Sequence, residues 1–274
     1  MKRVNPVKLR REFKAKLTPD ERVALGVDLS AGSDHYRSYV GPPFNYDINS
    51  GLQFQFMLDL GLREYHRFLE IGCGSLRLGR LLMMYLLSNR YYGIEPNQKI
   101  LEEGIKHNIG AQIGQENQFL QHKKPTFSNN ADFDFSFVGE KVDFVIAQSI
   151  VSHTGVSETE KLFSSVSDVI NDTGIAMITY IRCGKPEKNN TKDGWFYPEC
   201  ITYTDEHMAK VAHKNGFMAY RSAWPLLNSR PDGLLTTQTP LILTRKPWKP
   251  SLAQKLAGLG VNFESVCEIT ELTA

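Results

Sequence analysis

An α/β fold built on a doubly wound, mostly parallel sheet is the expectation, and two observations carry it. From about residue 50 onward, apolar runs (Arg67–Ile71, Tyr91–Glu95, Val142–Ala147, Ile175–Tyr180) alternate with segments of helical length and periodicity. Strands separated by helices run parallel, because the helix carries the chain back to the end of the sheet at which the previous strand began. Two last strand-like stretches, Met218–Pro225 and Leu234–Thr244, are joined by the turn-rich Asn228-Ser-Arg-Pro-Asp-Gly233 as a hairpin, which makes the sheet mixed.

The elements follow in order. Lys2, Arg3, Lys8, Arg10, Arg11, Lys14 and Lys16 face only Glu12 near the amino terminus, with Leu9, Phe13 and Leu17 recurring every four residues, the pattern of a short basic amphipathic helix. Thr18-Pro19-Asp20-Glu21 starts a second helix, with Thr18 as cap and Pro19 at the first position. From Ser30 to Tyr46, Gly32, Gly41, Pro42, Pro43 and several aromatic residues read as an ordered cover. An apolar helix from about Asn49 ends near Gly61, and Arg77–Leu87, Asn97–Asn108 and Ser157–Asn171 are the helices between the strands. Thr204 caps a helix to Asn215 with Gly216 as its stop, and one more short helix is expected beyond Pro250.

Composition bounds the function. The 274 residues carry a formal charge of +2, with 41% hydrophobic and 23% charged residues, which describes a globular chain able to bury a full core. A long nucleic-acid footprint calls for a stronger basic excess, so no nucleic-acid partner is expected. The longest apolar run, Leu78–Leu87, is interrupted by Arg80 and is about half of the roughly 20 residues of a spanning helix, so no membrane span is expected. Cys73, Cys183, Cys200 and Cys267 form no CxxC pair and no secretory leader is readable, which suits a reducing, cytoplasmic setting.

The segment that carries chemistry is Glu70-Ile71-Gly72-Cys73-Gly74, followed by Glu95-Pro96-Asn97. Gly72 and Gly74 permit a tight strand-to-helix turn and close approach of a ligand to the backbone. Glu95, ending the next strand, can accept hydrogen bonds from both hydroxyls of a ribose. Ribose recognition leaves a nicotinamide dinucleotide or S-adenosylmethionine as cofactor. A dinucleotide site calls for a third glycine at position 77, which is Arg77. Glu70 is awkward beside a pyrophosphate and useful beside the amino group of a methionine moiety, so electrostatics favours the methyl donor.

On these residues the chain resembles the class I S-adenosylmethionine-dependent methyltransferases over roughly Leu52–Arg245. Glu70-Ile71-Gly72-Cys73-Gly74 is similar to their first motif and Glu95 to their ribose-binding acid. Asp132-Phe133 lies where the family places an acid and an apolar neighbour around the adenine, with Asn130 and Asp134 as alternatives. Val142–Ser149 resembles their fourth strand, which places Gln148 and Ser149 beside the transferred methyl. The family often carries a third glycine at the position of Leu76. The resemblance implies a Rossmann-like sheet of seven strands whose last, antiparallel strand is inserted between its neighbours. It also implies three segments: residues 1–50 as helical cover, 51–246 as the cofactor domain and 247–274 as a helical tail.

The candidate donor residues are therefore Glu70, Gly72, Cys73, Gly74, Arg77 (toward the methionine carboxylate), Glu95, Pro96, Asp132, Phe133 and Gln148. The candidate general base is His153, whose ordinary pKa near 6.5 suits proton removal at neutrality. A cap of the following helix is its structural alternative. Tyr46, Ser149, His153 and Tyr197 are the candidate acceptor contacts. No HxxxH or HxH pair exists and Ala147-Gln148-Ser149 carries no carboxylate, so metal-independent transfer is expected. The expected acceptor is a small molecule methylated at oxygen; a nicotinamide-dependent oxidoreductase and a non-catalytic binding module are the alternatives.

Overall fold

Five parallel strands form one half of the sheet in the computed structural model, which describes residues 11–110, 117–222, 238–248 and 269–273. They are β1 (Phe68–Ile71), β2 (Tyr91–Ile94), β3 (Thr126–Ser128), β4 (Val142–Ala147) and β5 (Ile170–Ile181). β6 (Met218–Ser222), β7 (Gln238–Thr244) and β8 (Ile269–Leu272) complete the order β3-β2-β1-β4-β5-β7-β6-β8. β7 is inserted antiparallel between β5 and β6, as expected. β8 pairs antiparallel with β6, so among the described residues the sheet has eight strands against the seven expected, and Ile269–Leu272 is strand where a helix was expected. The outer edge of β6 offers unpaired backbone groups that a further strand satisfies. The hairpin connection 223–237 and the rest of the expected helix lie outside the described residues.

The helices fall on two faces because the strands present alternate side chains to each. On one face, α6 (Val156–Val169) buries Thr159, Leu162, Phe163, Val166 and Val169, spaced as one helical stripe, against Leu69, Ile71, Val145 and Ala176. α7 (Asp205–Lys214) joins this layer through Met208, Ala209, Val211 and Ala212, and its predicted cap forms: Thr204 Oγ1 accepts from the His207 N–H at 3.1 Å. On the other face, Phe56 and Met57 of α2 (Tyr46–Asp59) and Leu82 and Met83 of α3 (Gly79–Tyr85) pack on Phe68, Phe144 and Ile146. Each such fully buried side chain contributes roughly 1.5–3 kcal/mol of gross hydrophobic stabilisation.

Two short elements escaped the sequence reading. α5 (Gln118–Lys123) and β3 sit in a polar stretch, with too few residues for a period to show. α4 (Gln98–Ile105) runs on into a wider turn over Lys106–Gly110. At the amino end, α1 (Pro19–Ala24) begins with a reciprocal capping box between Thr18 and Glu21. Phe13 packs edge-on against Phe44 at 5.4 Å between ring centres, which docks the segment before α1 onto the cover. Residues 1–10 of the expected basic helix lie outside the described residues.

Candidate active site

β1 and β4 are neighbours at the centre of the sheet, and the chain leaves them toward opposite edges. Their carboxyl ends therefore frame the crevice at the topological switch point, where ligands of such sheets bind. Gly72–Gly74, Glu95 and Gln148–Ser149 follow β1, β2 and β4 directly, so the topology brings the predicted donor residues to this one end.

Both glycines of the turn need their missing side chain. Gly72 and Gly74 have φ of +70° and +53°. A Cβ on Gly72 would collide with Ile150 Cδ1, and one on Gly74 with Val40 Cγ1. The cover and the loop after β4 thus wall the crevice against the glycine backbone, and neither wall residue was visible as such in the sequence. Leu76, where the family often carries glycine, holds φ +60° while fully buried. The glycine-like backbone is kept without the glycine, at a cost of order 1–2 kcal/mol.

Glu95 fastens the turn to the second strand. Its Oε2 accepts the Gly74 N–H at 3.0 Å and its Oε1 the Asn97 N–H at 2.9 Å. An ionised carboxylate offers about four acceptor sites, so both oxygens keep capacity for ribose hydroxyls. Burial pushes its pKa up against the two N–H bonds that pull it down. Pro96 is exposed at the start of the next helix, and Cys73 is buried, its N–H bonded to Ile94 O at 3.0 Å.

Glu70 shares the face of Phe68 and is buried, accepting from Tyr91 Oη at 2.6 Å. Desolvation raises its pKa to about 8 despite that bond and the attraction of Arg77. Arg77 Nη1 donates to Val40 O at 2.6 Å, so this guanidinium ties the cover down over the glycine turn. Burial lowers its pKa, with Tyr46 and Glu70 opposing.

In the loop after β3, the local turn distinguishes Asn130, Asp132 and Asp134. Asn130 donates to Ser128 Oγ and to Asp134 O, and Asp134 accepts the Ser136 N–H at 2.8 Å, so both are engaged within the loop. Asp132 is exposed, with Lys161 Nζ at 3.9 Å. Phe133 is buried at φ +57° with its ring 5.7 Å from Trp195. A cavity of about 470 Å³ begins at Asp132 and Phe133 and runs along α6 to Asp168.

The acceptor candidates divide. His153 is partly buried, and Glu199 O lies 2.6 Å from its Nδ1. A carbonyl only accepts, so Nδ1 carries the proton and Nε2 keeps its lone pair. Desolvation lowers the imidazole pKa, with the Glu199 bond opposing. Tyr197 is 67% exposed and packs edge-on to His153 at 5.2 Å, beside Trp195 at 53%. Ser149 holds φ +61° at the end of β4. Tyr46 is buried in the core with Oη donating to Ser75 O at 2.9 Å, under the guanidinium groups of Arg37 and Arg80. It is the first residue of α2 and is buried, whereas Tyr197 is exposed.

The residues fit the implied donor. A glycine turn with no room for a Cβ, a carboxylate gathering N–H groups at the second strand and a buried acid at the first are the chemistry a ribose and an ammonium require. Among the described residues no three His, Cys, Asp or Glu side chains converge as a metal site requires, and no helix is long and apolar enough to cross a membrane.

Residues 69–176 match a family model described as a methyltransferase domain. Among solved structures, the fold is similar to magnesium protoporphyrin IX methyltransferase from Synechocystis with bound S-adenosylhomocysteine, at TM-score 0.54 and 14% identity, covering 74% of this chain and 84% of that one. It is likewise similar to an S-adenosylmethionine-dependent methyltransferase from Clostridium acetobutylicum, at TM-score 0.52 and 15% identity, covering 73% of this chain and 92% of that one. The chain thus has the fold of these methyltransferases, its antiparallel β7 inserted between β5 and β6, and residues 69–176 within it match the methyltransferase-domain model.

Proposed function

We propose that the protein transfers a methyl group to a hydroxyl oxygen of a small, uncharged acceptor, without a metal, and that His153 takes the proton. The observation that carries this reading is the His153 Nδ1 contact to Glu199 O, which leaves Nε2 as an acceptor in the loop that follows β4. When bound, S-adenosylmethionine would supply an electrophilic methyl group on a sulfonium, with the neutral thioether as leaving group. Glu70, Gly72, Cys73, Gly74, Glu95, Pro96, Asp132, Phe133 and the Gln148 backbone hold that donor, and Arg77 fixes the cover across it. His153 receives the hydroxyl proton at Nε2, and its lowered pKa keeps the imidazole neutral at pH 7. Tyr197 and Trp195 offer apolar ring surface to the acceptor. Orientation does the rest, and holding such reactants in line removes up to roughly 7–11 kcal/mol of barrier.

Calorimetric titration with S-adenosylhomocysteine tests the donor site: micromolar or tighter binding is expected, and loss of it in Glu95→Ala. No binding by the wild type overturns the reading. Transfer from radiolabelled donor to oxygen acceptors that survives EDTA and falls in His153→Asn supports the mechanism.

A further inference from the structure

A buried carbonyl oxygen without a partner stands at the end of β4. Gln148 Oε1 is shielded from solvent and has no hydrogen-bond partner among the described residues. Leaving such an atom unpaired costs about 1–3 kcal/mol, so its persistence at the switch point calls for a reason.

The surrounding network fixes which atom is orphaned. Ser152 Oγ donates to Ser149 O at 3.1 Å, so toward Gln238 it can only accept, and the group facing it at 3.2 Å is the Gln238 NH₂. The same NH₂ reaches Ser149 Oγ. Gln238 Oε1 then faces the Thr179 hydroxyl, which accepts the Ser149 N–H at 2.8 Å and donates onward. The Gln148 atom 3.3 Å from Gln238 Oε1 must therefore be Nε2, because two carbonyl oxygens at that distance repel. Gln148 Oε1 is left over, held in place from β4, β5 and β7. Gln238 is buried as the first residue of β7 and was invisible in the sequence as a site residue.

Two atoms in the segment that follows β4 can thus only accept: Gln148 Oε1, and the Nε2 of His153, five residues further along the chain. We infer that the methyl acceptor is a neutral molecule with at least two hydrogen-bond donors, the reacting hydroxyl directed to His153 and a second hydroxyl or N–H received by Gln148 Oε1. A carboxylate would set lone pair against lone pair at both. Gln148 then decides specificity, since a buried acceptor left unpaired by the wrong ligand discriminates strongly. This inference rests on the proposed donor site and oxygen acceptor.

The test uses the full chain saturated with S-adenosylhomocysteine and five probes observed by NMR: catechol, resorcinol and cis-1,2-cyclohexanediol with two donors, phenol with one, and anisole with none. At least one diol is expected to bind about tenfold tighter than phenol, to shift the Gln148 side-chain amide, and to bind far tighter than anisole. The aromatic and aliphatic diols distinguish a phenolic from a sugar-like acceptor. In Gln148→Leu, and in Gln148→Met as a second variant, each saturated with S-adenosylhomocysteine, the diol advantage over phenol is expected to vanish. Equal binding of diols, phenol and anisole by the wild type overturns the inference and leaves the donor reading intact. A diol advantage that survives in both variants overturns it too. Loss of S-adenosylhomocysteine affinity in both variants assigns Gln148 to the donor and overturns it, whereas failure of the wild type to bind S-adenosylhomocysteine removes the proposed function together with it.

Discussion

Tyr91 Oη donates to Glu70 Oε2 at 2.6 Å inside the layer between β1, β2 and α3. A carboxyl buried there is protonated far above its ordinary range, at about 8. In the unfolded chain the same group loses its proton near 4.5. Between these values the folded state binds the extra proton, so this contribution to stability is fully present below pH 4.5 and is lost as pH rises toward 8. Each pH unit of that window removes up to about 1.4 kcal/mol. Denaturant unfolding of wild type and Glu70→Gln from pH 5 to 8 is expected to show a slope in the wild type that the variant lacks. Parallel pH profiles would refute the buried proton.

The same proton marks the donor. If the ammonium of the methionine moiety comes to lie near Glu70, it favours the carboxylate, and binding at pH 7 releases a proton. Titration with S-adenosylhomocysteine in buffers of different ionisation enthalpy is expected to show up to one proton released by the wild type and none from this source by Glu70→Gln. Equal release from both proteins places the ammonium elsewhere.

Gly104 lies in the interior of α4, where alanine is ordinarily worth up to about 1 kcal/mol more than glycine. Here the sign reverses. A Cβ would lie 2.5 Å from the backbone carbon of Ser75, and a backbone at the end of the glycine turn cannot swing aside as a side chain can. Gly104→Ala is expected to lower Tm and to weaken S-adenosylhomocysteine binding, through displacement of the turn. An unchanged or higher Tm would refute the close approach of α4 to that turn.

The protonation of His153 should appear in rate. Below its folded pKa the imidazole is charged and cannot take a proton. Because desolvation lowers that pKa beneath the ordinary 6.5, the acid limb of kcat/KM is expected below pH 6.5. His153→Asn is expected to remove the limb and to lower kcat/KM about 10²–10⁴-fold. A limb that persists unchanged in the variant assigns it to another group.

What the sequence revealed and what it hid divide by the range of the interactions. Val142–Ala147 is a run of buried side chains whose bounds were readable, as were Thr204 and Thr18, because a cap is written within four residues. The motif from Glu70 to Gly74 was legible because its turn requires glycine locally. The walls of the crevice were not, since Val40 and Ile150 meet Gly74 and Gly72 only through the fold. Gln238 reads as an unremarkable strand residue, and its role arises where β7 is inserted beside β5. β8 was read as helix because four residues in a long tail show no period, and the free edge of β6 determines their pairing.

Tyr46 gives the sharpest test of core against site. Its hydroxyl donates to Ser75 O at 2.9 Å, and Asn108 Nδ2 donates both to that hydroxyl at 3.0 Å and to Ser75 O at 2.8 Å. Removing the hydroxyl in Tyr46→Phe ends two hydrogen bonds, its own to Ser75 O and the one from Asn108 Nδ2, but leaves Ser75 O bonded to Asn108, so no carbonyl is orphaned and the cost is about 1–3 kcal/mol. Tyr46→Ala instead removes the ring beneath Arg37 and Arg80 and opens a cavity, with a cost of roughly 3–5 kcal/mol. Denaturant unfolding of both variants checks the stabilities. A core role predicts that Tyr46→Phe keeps KM for any acceptor within twofold. A several-fold rise in KM with Tm unchanged would return Tyr46 to the acceptor pocket.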